Sequence, residues 1–331
     1  MGRTRSQAPG AKDRVKLHDV AEIAGVSAQT VSRVVRNTAG VAEDTRKRVL
    51  AAVEELGYRP NLAARSLSAG RIGAVHVVVA ATLFHGTTRT FVAICEALAK
   101  RGLATSTSVA REHTDPETIV PVTADGVIVL GGASEDVSWL TAIAERVPVV
   151  YVGRTDGLPE RVSSVAIDQL ASAQLAVRRL AERGAKRLAH IAGPQDWSDA
   201  RLRLEGFVAS AAELGLDYEV FHADSWEAVA ASRLGPQLPD YVDGVFAGND
   251  HLALGYLSHC QRVGRRVPDD VAVIGVDNTS AADAYQPPLT TVRQPFLQVG
   301  ERAVECIDAL LDGGEPQQLL LEPELIIRES A

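Results

Sequence analysis

The stretch DVAEIAGVSAQTVSRVV, residues 19–35, contains two short helical patterns separated by a glycine. In its first half, apolar residues recur at the spacing of one helical face: Val20, Ala21 and Ala24. Gly25 follows, and it supplies the positive φ at which helices most readily end. Ser27 is a good N-cap for a second helix. The inward face of that helix carries three valines: Val31, Val34 and Val35.

A third helical pattern over residues 43–56 would close a small three-helix core. Two short helices joined by a tight turn form a helix-turn-helix, whose second helix lies in the DNA major groove. The outward face of the predicted second helix carries Ala28, Gln29, Ser32 and Arg33. The pattern alone does not exclude an ordinary helical hairpin, so a second signal is needed.

Charge gives that second signal. Residues 1–71 contain 13 Lys and Arg against 7 Asp and Glu, whereas the rest of the chain contains 21 against 35. A basic segment gains affinity for nucleic acid by displacing counterions from phosphates. The division is typical of a DNA-binding module joined to an acidic body, although a solvated basic surface would give the same count.

The stretch at 19–35, with TRKRVLAAVEELGYRPN at 45–61, resembles the DNA-binding head of the lac repressor family. The resemblance implies a bacterial transcription regulator, expected to be a repressor, that binds a near-palindromic operator as a dimer. It implies base reading by three residues: Ala28, Gln29 and Arg33. It implies phosphate contacts by four others: Ser27, Thr30, Ser32 and Asn61.

Two residues depart from the family pattern in this head. Lys16 stands where the family usually has a threonine cap. Losing a threonine N-cap reduces stability by about 1 kcal/mol. Arg36 stands where the family usually has an asparagine. Both substitutions add positive charge near the expected DNA surface, so we expect stronger non-specific DNA binding.

We expect a disordered tail at 1–13, a head at 14–59 and a hinge at 60–71. The hinge pattern is too short to form a stable helix alone. By resemblance it orders on operator DNA, where Leu67 wedges into the minor groove and Ala64 supports the same helix. Its Ala-, Ser- and Gly-rich composition also fits a plain flexible linker.

From residue 72 onward, apolar strand-like runs alternate with helical stretches, which predicts an α/β class with doubly wound parallel sheets. We expect two lobes of the periplasmic sugar-binding type that this family uses as its sensor. The first lobe is expected at about 72–164 and 296–321, and the second at about 165–292 and 322–331. The resemblance weakens between residues 105 and 125, and we expect this proline-interrupted segment to be too short for the family's usual second helix.

An effector site is expected where strands end at the cleft between the lobes. Matching the family's motifs gives three hydroxyl-binding residues: Arg201, Asn249 and Asp277. It gives two residues for stacking on a sugar: Trp226 and Phe296. Structural alternatives remain, because Asn249 and Asp277 could cap helices and Arg201 could form a surface ion pair.

One substitution bears on the chemical identity of the expected effector. Gly153 stands where sugar-binding members often carry an aspartate, so a second hydroxyl-pairing carboxylate is missing there. The effector is therefore expected to be a mono- or oligosaccharide, with a larger, different or non-sugar ligand as the alternative. Arg154, if it faces the cleft, would admit an anionic group.

Other functions fit the sequence less well. Motifs for catalysis or phosphate binding (GxGxxG after a strand, GxxxxGK[ST], HExxH and GxSxG) are absent from the sequence, so no enzyme is expected. Three separated cysteines without CxxC spacing predict neither metal nor cofactor. The N-terminus lacks an apolar signal region, which argues for a cytoplasmic, nucleoid-associated protein and against a secreted solute-binding protein or a membrane span. No leucine heptad follows the last strand pattern, so a homodimer is expected. The alternative is a nucleoid-type protein that binds DNA independently of any ligand in its cleft.

Overall fold

The computed structural model describes residues 15–35, 40–58, 72–110, 116–120, 123–132 and 137–331. Contacts between residues divide the chain into two compact units, Met1–Ile72 and Gly73–Ala331. Each unit is described by itself. Within the described ranges, no helix is long and apolar enough to cross a membrane.

The first unit is a three-helix head: α1 (Leu17–Ala24), α2 (Ala28–Val35) and α3 (Glu43–Leu56). α1 ends at Gly25, whose φ of 64° is left-handed, as its pattern predicts. Ser27 caps the start of α2, because its Oγ accepts the Thr30 N–H at 3.1 Å. The buried residues of the three helices form one core: Val20, Ala21, Ala24, Val31, Val34, Val49, Ala52 and Tyr58.

Lys16 stands before α1 and makes no side-chain capping bond, as expected, but the reciprocal bond from Asp19 is present. The Asp19 carboxylate accepts the Lys16 N–H at 2.7 Å, which is one half of a capping box. This acidic side chain also lies in the first helical turn, where negative charge is favourable. The missing threonine is therefore offset in part by Asp19.

The second unit contains two six-stranded sheets. The first sheet contains β1 (Ala74–Val79), β2 (Ala104–Val109), β3 (Gly126–Leu130), β4 (Val149–Val152), β5 (Val162–Ile167) and β11 (Gln318–Leu321), in the order β11-β5-β4-β3-β1-β2. The second contains β6 (Arg187–Ala192), β7 (Asp217–His222), β8 (Gly244–Ala247), β9 (Ala272–Asp277), β10 (Thr290–Arg293) and β12 (Glu324–Ile326), in the order β12-β10-β9-β8-β6-β7. All pairings are parallel except that of β10 with β12. The fold class is confirmed.

Eight helices of the second unit accompany these sheets. They are α4 (His85–Lys100), α5 (Pro116–Ile119), α6 (Trp139–Ala144), α7 (Gln169–Glu182), α8 (Ser198–Glu213), α9 (Ala228–Leu234), α10 (Asp250–Val263) and α11 (Phe296–Leu311). α11 packs against α4 and the first sheet, whereas α7 packs against α8 and the second sheet. The chain therefore returns to the first lobe after β10, and β12 completes the second sheet.

The predicted boundary between the lobes at 164–165 needs correction. It falls inside β5, and β5 pairs with β4 and then with β11 as far as Ile167. Asp168 then caps α7, because its Oδ1 accepts the Ala171 N–H at 2.9 Å. A continuous strand cannot change sheet midway, so the first lobe runs to Ile167 and the second begins at the cap.

The stretch that matched the family poorly is indeed short of helix. Between β2 and β3, the described residues hold only the four-residue α5. β2 lies at the edge of the first sheet, and most of its side chains are exposed. Among the residues described between β2 and β3, no helix has the length of those that cover parallel sheets elsewhere in the fold.

Candidate effector cleft and DNA-binding head

A cleft of about 830 Å³, including open solvent, is lined by residues of both sheets of the second unit. Its walls are formed where parallel strands end: after β3 and β4 in the first lobe, and after β6, β8 and β9 in the second. Ligand sites of open α/β sheets lie at this edge. The cleft therefore lies at the strand edge where the sequence predicts the site, and polar and aromatic side chains line it.

Arg203 is the central cation of the cleft. Its side chain is buried, and its Nε donates to Gln169 Oε1 at 2.8 Å while its Nη1 donates to the Gly248 carbonyl at 2.7 Å. Its Nη2 lies 3.8 Å from Asp199 Oδ2, and its guanidinium carbon lies 5.6 Å from the centroid of the Trp226 ring. These contacts fix the orientation of the guanidinium before any ligand arrives.

Two carboxylates accompany Arg203. Burial raises the pKa of Asp277 well above its ordinary range; Arg203 opposes this shift, and the nearby carboxylates of Asp250 and Asp199 reinforce it. Burial also raises the pKa of Asp199, again opposed by Arg203. The cleft thus holds one guanidinium and two carboxyl groups, a set that can donate to and accept from neighbouring hydroxyls.

The backbone at Asp277 is itself unusual. Asp277 has φ 114° and Asn278 has φ 53°, a region that non-glycine residues rarely adopt. The loop is held by buried Asp250, which accepts the Thr279 N–H at 2.7 Å and the Thr291 hydroxyl at 2.5 Å. The turn after β9 is therefore fixed by side chains behind it, and this directs Asp277 into the cleft.

Aromatic rings form the other surfaces of the cleft. Trp197 lies edge-on to Trp226 at 6.2 Å between centroids, and edge-on to Phe84 of the first lobe at 5.6 Å. Gly193 leaves room for Trp226, because a Cβ there would lie 2.2 Å from the indole. Phe296 lies at the start of α11 and is half-buried. Aromatic rings that line the cleft next to hydrogen-bonding groups suit the two kinds of surface on a pyranose.

Asn249 has both of its predicted properties. Its Oδ1 accepts the Leu252 N–H at 2.8 Å, which caps α10, and its Nδ2 donates to the Trp226 carbonyl at 3.2 Å. It also lines the cleft. The capping alternative is therefore present in the structure, and it coexists with a position at the cleft wall.

Arg201 is the sequence-predicted cleft residue that the structure places elsewhere. It is not among the described residues that line the cleft, and its Nη1 donates to the Gln195 carbonyl at 2.9 Å. Two residues along a helix correspond to a rotation of about 200°, so Arg201 and Arg203 point to opposite sides of α8. Trp226, Asn249, Asp277 and Phe296 all line the cleft.

Gly153 lines the cleft, but a second carboxylate is present. Asp199 supplies it from α8, where sequence reasoning did not place one. Arg154 is exposed and is not among the described cleft residues. The expectation of a missing carboxylate is thus wrong for the cleft as a whole, and the structure gives no support for an anion site at Arg154.

In the head, the predicted base-reading residues share the outer side of α2. Gln29 and Arg33 are exposed and Ala28 is half-buried, whereas Val31 and Val34 are buried. Ser27, expected at phosphate, uses its oxygen to cap α2 and lies 2.9 Å from the Thr30 hydroxyl oxygen. Lys16 is exposed and Ser32 is half-buried. Arg36, Asn61, Ala64 and Leu67 lie outside the described residues.

Comparison with known proteins agrees with both units. A model of bacterial regulatory proteins of the lacI family matches residues 16–61, and a model of a periplasmic binding protein-like domain matches residues 177–331. The chain is 37% identical over 337 residues to the HTH-type transcriptional regulator CelR of Thermobifida fusca, covering 96% of this chain and 98% of that protein. The chain belongs to the LacI family.

Two solved structures of the LacI family resemble the fold along almost its whole length. A CelR–cellobiose complex has a TM-score of 0.70 at 32% identity and covers 96% of this chain and 100% of that one. A lac repressor dimer bound to operator and the anti-inducer ONPF has a TM-score of 0.81 at 28% identity and covers 96% and 99%. The resemblance drawn from the head and core motifs is therefore confirmed, and the chain is a transcriptional regulator.

The residues that sequence reasoning missed in this LacI-family cleft are Trp197, Asp199, Arg203 and Gln169. The buried positions of α8 include Ala200, Arg203, Phe207 and Ser210, which recur at helical spacing. That spacing places Arg203 on the inward stripe and could have identified it. Gln169 offers no such signal, because its contacts come from segments far away in the chain.

Proposed function

We propose that this LacI-family protein represses transcription by binding a near-palindromic operator as a homodimer, and that a neutral saccharide in the cleft controls this binding. One observation carries the proposal for the ligand. Arg203, Asp199 and Asp277 lie together beside the indole of Trp226. This combination matches vicinal hydroxyls on one side of a sugar and its C–H surface on the other.

Charge supports a neutral ligand. Two carboxyl groups and one guanidinium line the second-lobe side of the cleft, and this guanidinium already lies 3.8 Å from Asp199, so the cleft offers little net positive charge to an anionic ligand. The relative CelR has been solved with cellobiose, which is an uncharged disaccharide. We therefore propose a mono- or oligosaccharide, with Arg203, Asp199, Asn249 and Asp277 as hydrogen-bonding residues and Trp197, Trp226 and Phe296 as packing surfaces.

For the head, we propose that Gln29 and Arg33 read base edges from α2, with Ala28 beside them. Ser27, Thr30, Ser32 and Lys16 are proposed to contact the backbone of DNA. The hinge roles of Asn61, Ala64 and Leu67, and the added charge of Arg36, stay predictions. We propose a cytoplasmic protein that acts at the nucleoid and uses its cleft for binding rather than catalysis.

Footprinting on DNA with and without sugars tests this function. A panel of mono- and disaccharides is first screened by thermal shift, and hits are added to footprints on the flanking promoter region. A protected two-fold site that changes with a sugar supports the proposal. Protection without sequence preference and without a response to any sugar indicates the nucleoid-type alternative, and a specific footprint that responds only to other metabolites excludes the saccharide.

A further inference from the structure

Two buried glutamines lie where the chain passes between the lobes. Gln169 is the first residue of α7, directly after the passage from β5, and Gln294 lies between β10 and α11, on the passage back to the first lobe. Only 2% of Gln169 and 4% of Gln294 is exposed. Buried amides are costly unless all their hydrogen bonds are made, so their partners show what they hold in place.

The two glutamines are bonded to each other and to the cleft. Gln169 Nε2 donates to Gln294 Oε1 at 3.1 Å and to Asp199 Oδ2 at 3.2 Å, and Gln169 Oε1 accepts the Arg203 Nε–H. Gln294 Nε2 donates to the Ser172 hydroxyl at 3.1 Å. Gln169 thus contacts both Asp199 and Arg203 at the cleft, and Gln294 connects this contact to the second passage.

The chain continues from Gln294 directly into the cleft wall of the first lobe. Phe296 lies two residues later and begins α11, which packs against α4 and the first sheet. The Phe296 N–H donates to the Gln294 carbonyl at 2.9 Å, and only Pro295 separates the two residues, so we expect a shift of the Gln294 backbone to reach Phe296. A ligand that draws Arg203 or Asp199 toward itself therefore changes the bonds that position the connection to the first lobe.

We propose that Gln169 and Gln294 are positioning residues that couple ligand binding in the second lobe to the arrangement of the first. This inference rests on the proposed saccharide function. A ligand can change an equilibrium only through different contacts in its two states. The amide pair supplies such a difference, because a new acceptor at Arg203 or a new donor at Asp199 competes with Gln169 for the same atoms.

The test uses Gln294→Met in the full-length protein, which removes the acceptor of one Gln169 N–H and leaves the other contacts of the pair's neighbours in place. Gln169 Nε2 retains Asp199, and the Ser172 hydroxyl still donates to the Asp168 carbonyl at 2.9 Å. Gln298→Met is the matched control, since Gln298 is an exposed glutamine on α11. Ser172→Ala is a second variant that removes the acceptor of Gln294 Nε2 together with the hydroxyl's bond to the Asp168 carbonyl, and it keeps the Gln169–Gln294 bond.

Operator affinity is measured with and without cellobiose, or with another sugar of the panel if that one gives the larger thermal shift. We expect Gln294→Met to reduce the ratio of the two affinities at least fivefold, Ser172→Ala to reduce it about twofold, and Gln298→Met to leave it unchanged. A purely structural role predicts a lower Tm with an unchanged ratio. An unchanged ratio in Gln294→Met overturns the proposal.

A sugar-free measurement separates failure of this proposal from failure of the saccharide function. If no sugar affects the wild type, the saccharide function fails, and Arg203→Met replaces the sugar as the disturbance at the cleft. The rate of amide hydrogen exchange at residues 294–298 should then differ at least threefold between the wild type and Arg203→Met. The same change in the Gln294→Met background would overturn the coupling role.

Discussion

The two lobes contribute different chemistry to the same cleft. The second lobe supplies Arg203, Asp199, Asn249 and Asp277, together with both tryptophans. The first lobe supplies mainly backbone and apolar surface: Phe84, Gly86, Leu130, Gly131, Gly132, Val152, Gly153, Val165 and Val299, with His85, Thr87 and Thr90 as its polar side chains. The proposed ligand would therefore meet hydrogen-bonding groups on one side and mainly apolar surface on the other. Substitutions in the second lobe should alter affinity most.

The buried histidines of the two sheets show the opposite contrast, with polar neighbours in the first sheet and aromatic neighbours in the second. His76 in β1 lies between two hydroxyls, 2.8 Å from Ser106 Oγ and 2.8 Å from Ser108 Oγ. His190 in β6 stacks between Phe207 and Phe246, donates through Nδ1 to the Phe246 carbonyl, and has a buried Nε2 without a partner among the described residues. Burial lowers the pKa of both, and it lowers that of His190 to about 4.

The largest expected effect is acid destabilisation through His190. A histidine with a lowered folded-state pKa contributes stability that is present above about pH 6.5 and is lost as pH falls through about 4. The full contribution is about 3 kcal/mol, since each pKa unit corresponds to about 1.4 kcal/mol. Urea unfolding of wild type and His190→Gln at pH 7 and pH 4.5 should show a much smaller loss in the variant.

His76→Gln is the control for this measurement, because hydroxyls beside His76 can accept from its protonated form. An equal reduction of the acid effect by His76→Gln would contradict the contrast between the sheets. Asp250 acts in the opposite direction: burial raises its pKa to about 6, so its contribution is present below about pH 4 and is lost as pH rises through about 6. Comparing each variant with wild type at both pH values removes this common background.

The next effect separates the two arginines of α8. Arg203→Met should weaken sugar binding about 100-fold, or about 2.7 kcal/mol, because charge-assisted hydrogen bonds are lost and two carboxyl groups lose their cation. Arg201→Met should change affinity less than twofold. Calorimetric titration with a sugar from the thermal-shift panel, well below each variant's Tm, measures both. If Arg201→Met weakened sugar binding more than Arg203→Met, Arg201 would be the arginine that binds the ligand.

Sequence alone predicted the elements of this molecule well, for a physical reason. The ends of α1 and α2 depend on local features, namely Gly25 and Ser27, and the strands are apolar runs whose period can be read directly. The boundary between lobes was misplaced inside β5, because β5 is an apolar strand like its neighbours and only its pairing with β4 and β11 assigns it.

The cleft was predicted in part. Asn249 and Asp277 follow strands directly, so sequence position places them at the correct edge. Arg201 and Arg203 lie on one helix, and the choice between them depends on which face is buried. Gln169 could not be found, since its role comes from contacts with Arg203, Asp199 and Gln294, which only the folded chain brings together.

Asp199→Asn should have an intermediate effect. The change keeps the size of the side chain but removes the charge beside Arg203, so we expect about a tenfold loss of sugar affinity, or about 1.4 kcal/mol. Asp196→Asn is a control on the preceding loop, because Asp196 is not among the described cleft residues. Titration calorimetry checks both variants. Equal affinities for wild type and Asp199→Asn would show that Asp277 alone supplies the carboxylate.

The smallest effect concerns the shape contributed by the first lobe. A Cβ at Gly86 would lie 2.9 Å from two atoms of the Phe296 ring, so Gly86→Ala must displace that ring by a few tenths of an ångström. The ring can yield, and alanine is favoured over glycine within α4, so Tm should stay constant or rise slightly. Sugar affinity should nevertheless fall two- to threefold, because the displaced ring narrows the cleft. Thr88→Ala, at an exposed position of the same helix, should leave affinity unchanged. Calorimetric titration and thermal unfolding of both variants distinguish the outcomes. A fall in Tm with unchanged affinity would mean that Gly86 serves packing only, and a loss as large as that of Arg203→Met would mean that the first lobe selects the ligand as strongly as the second.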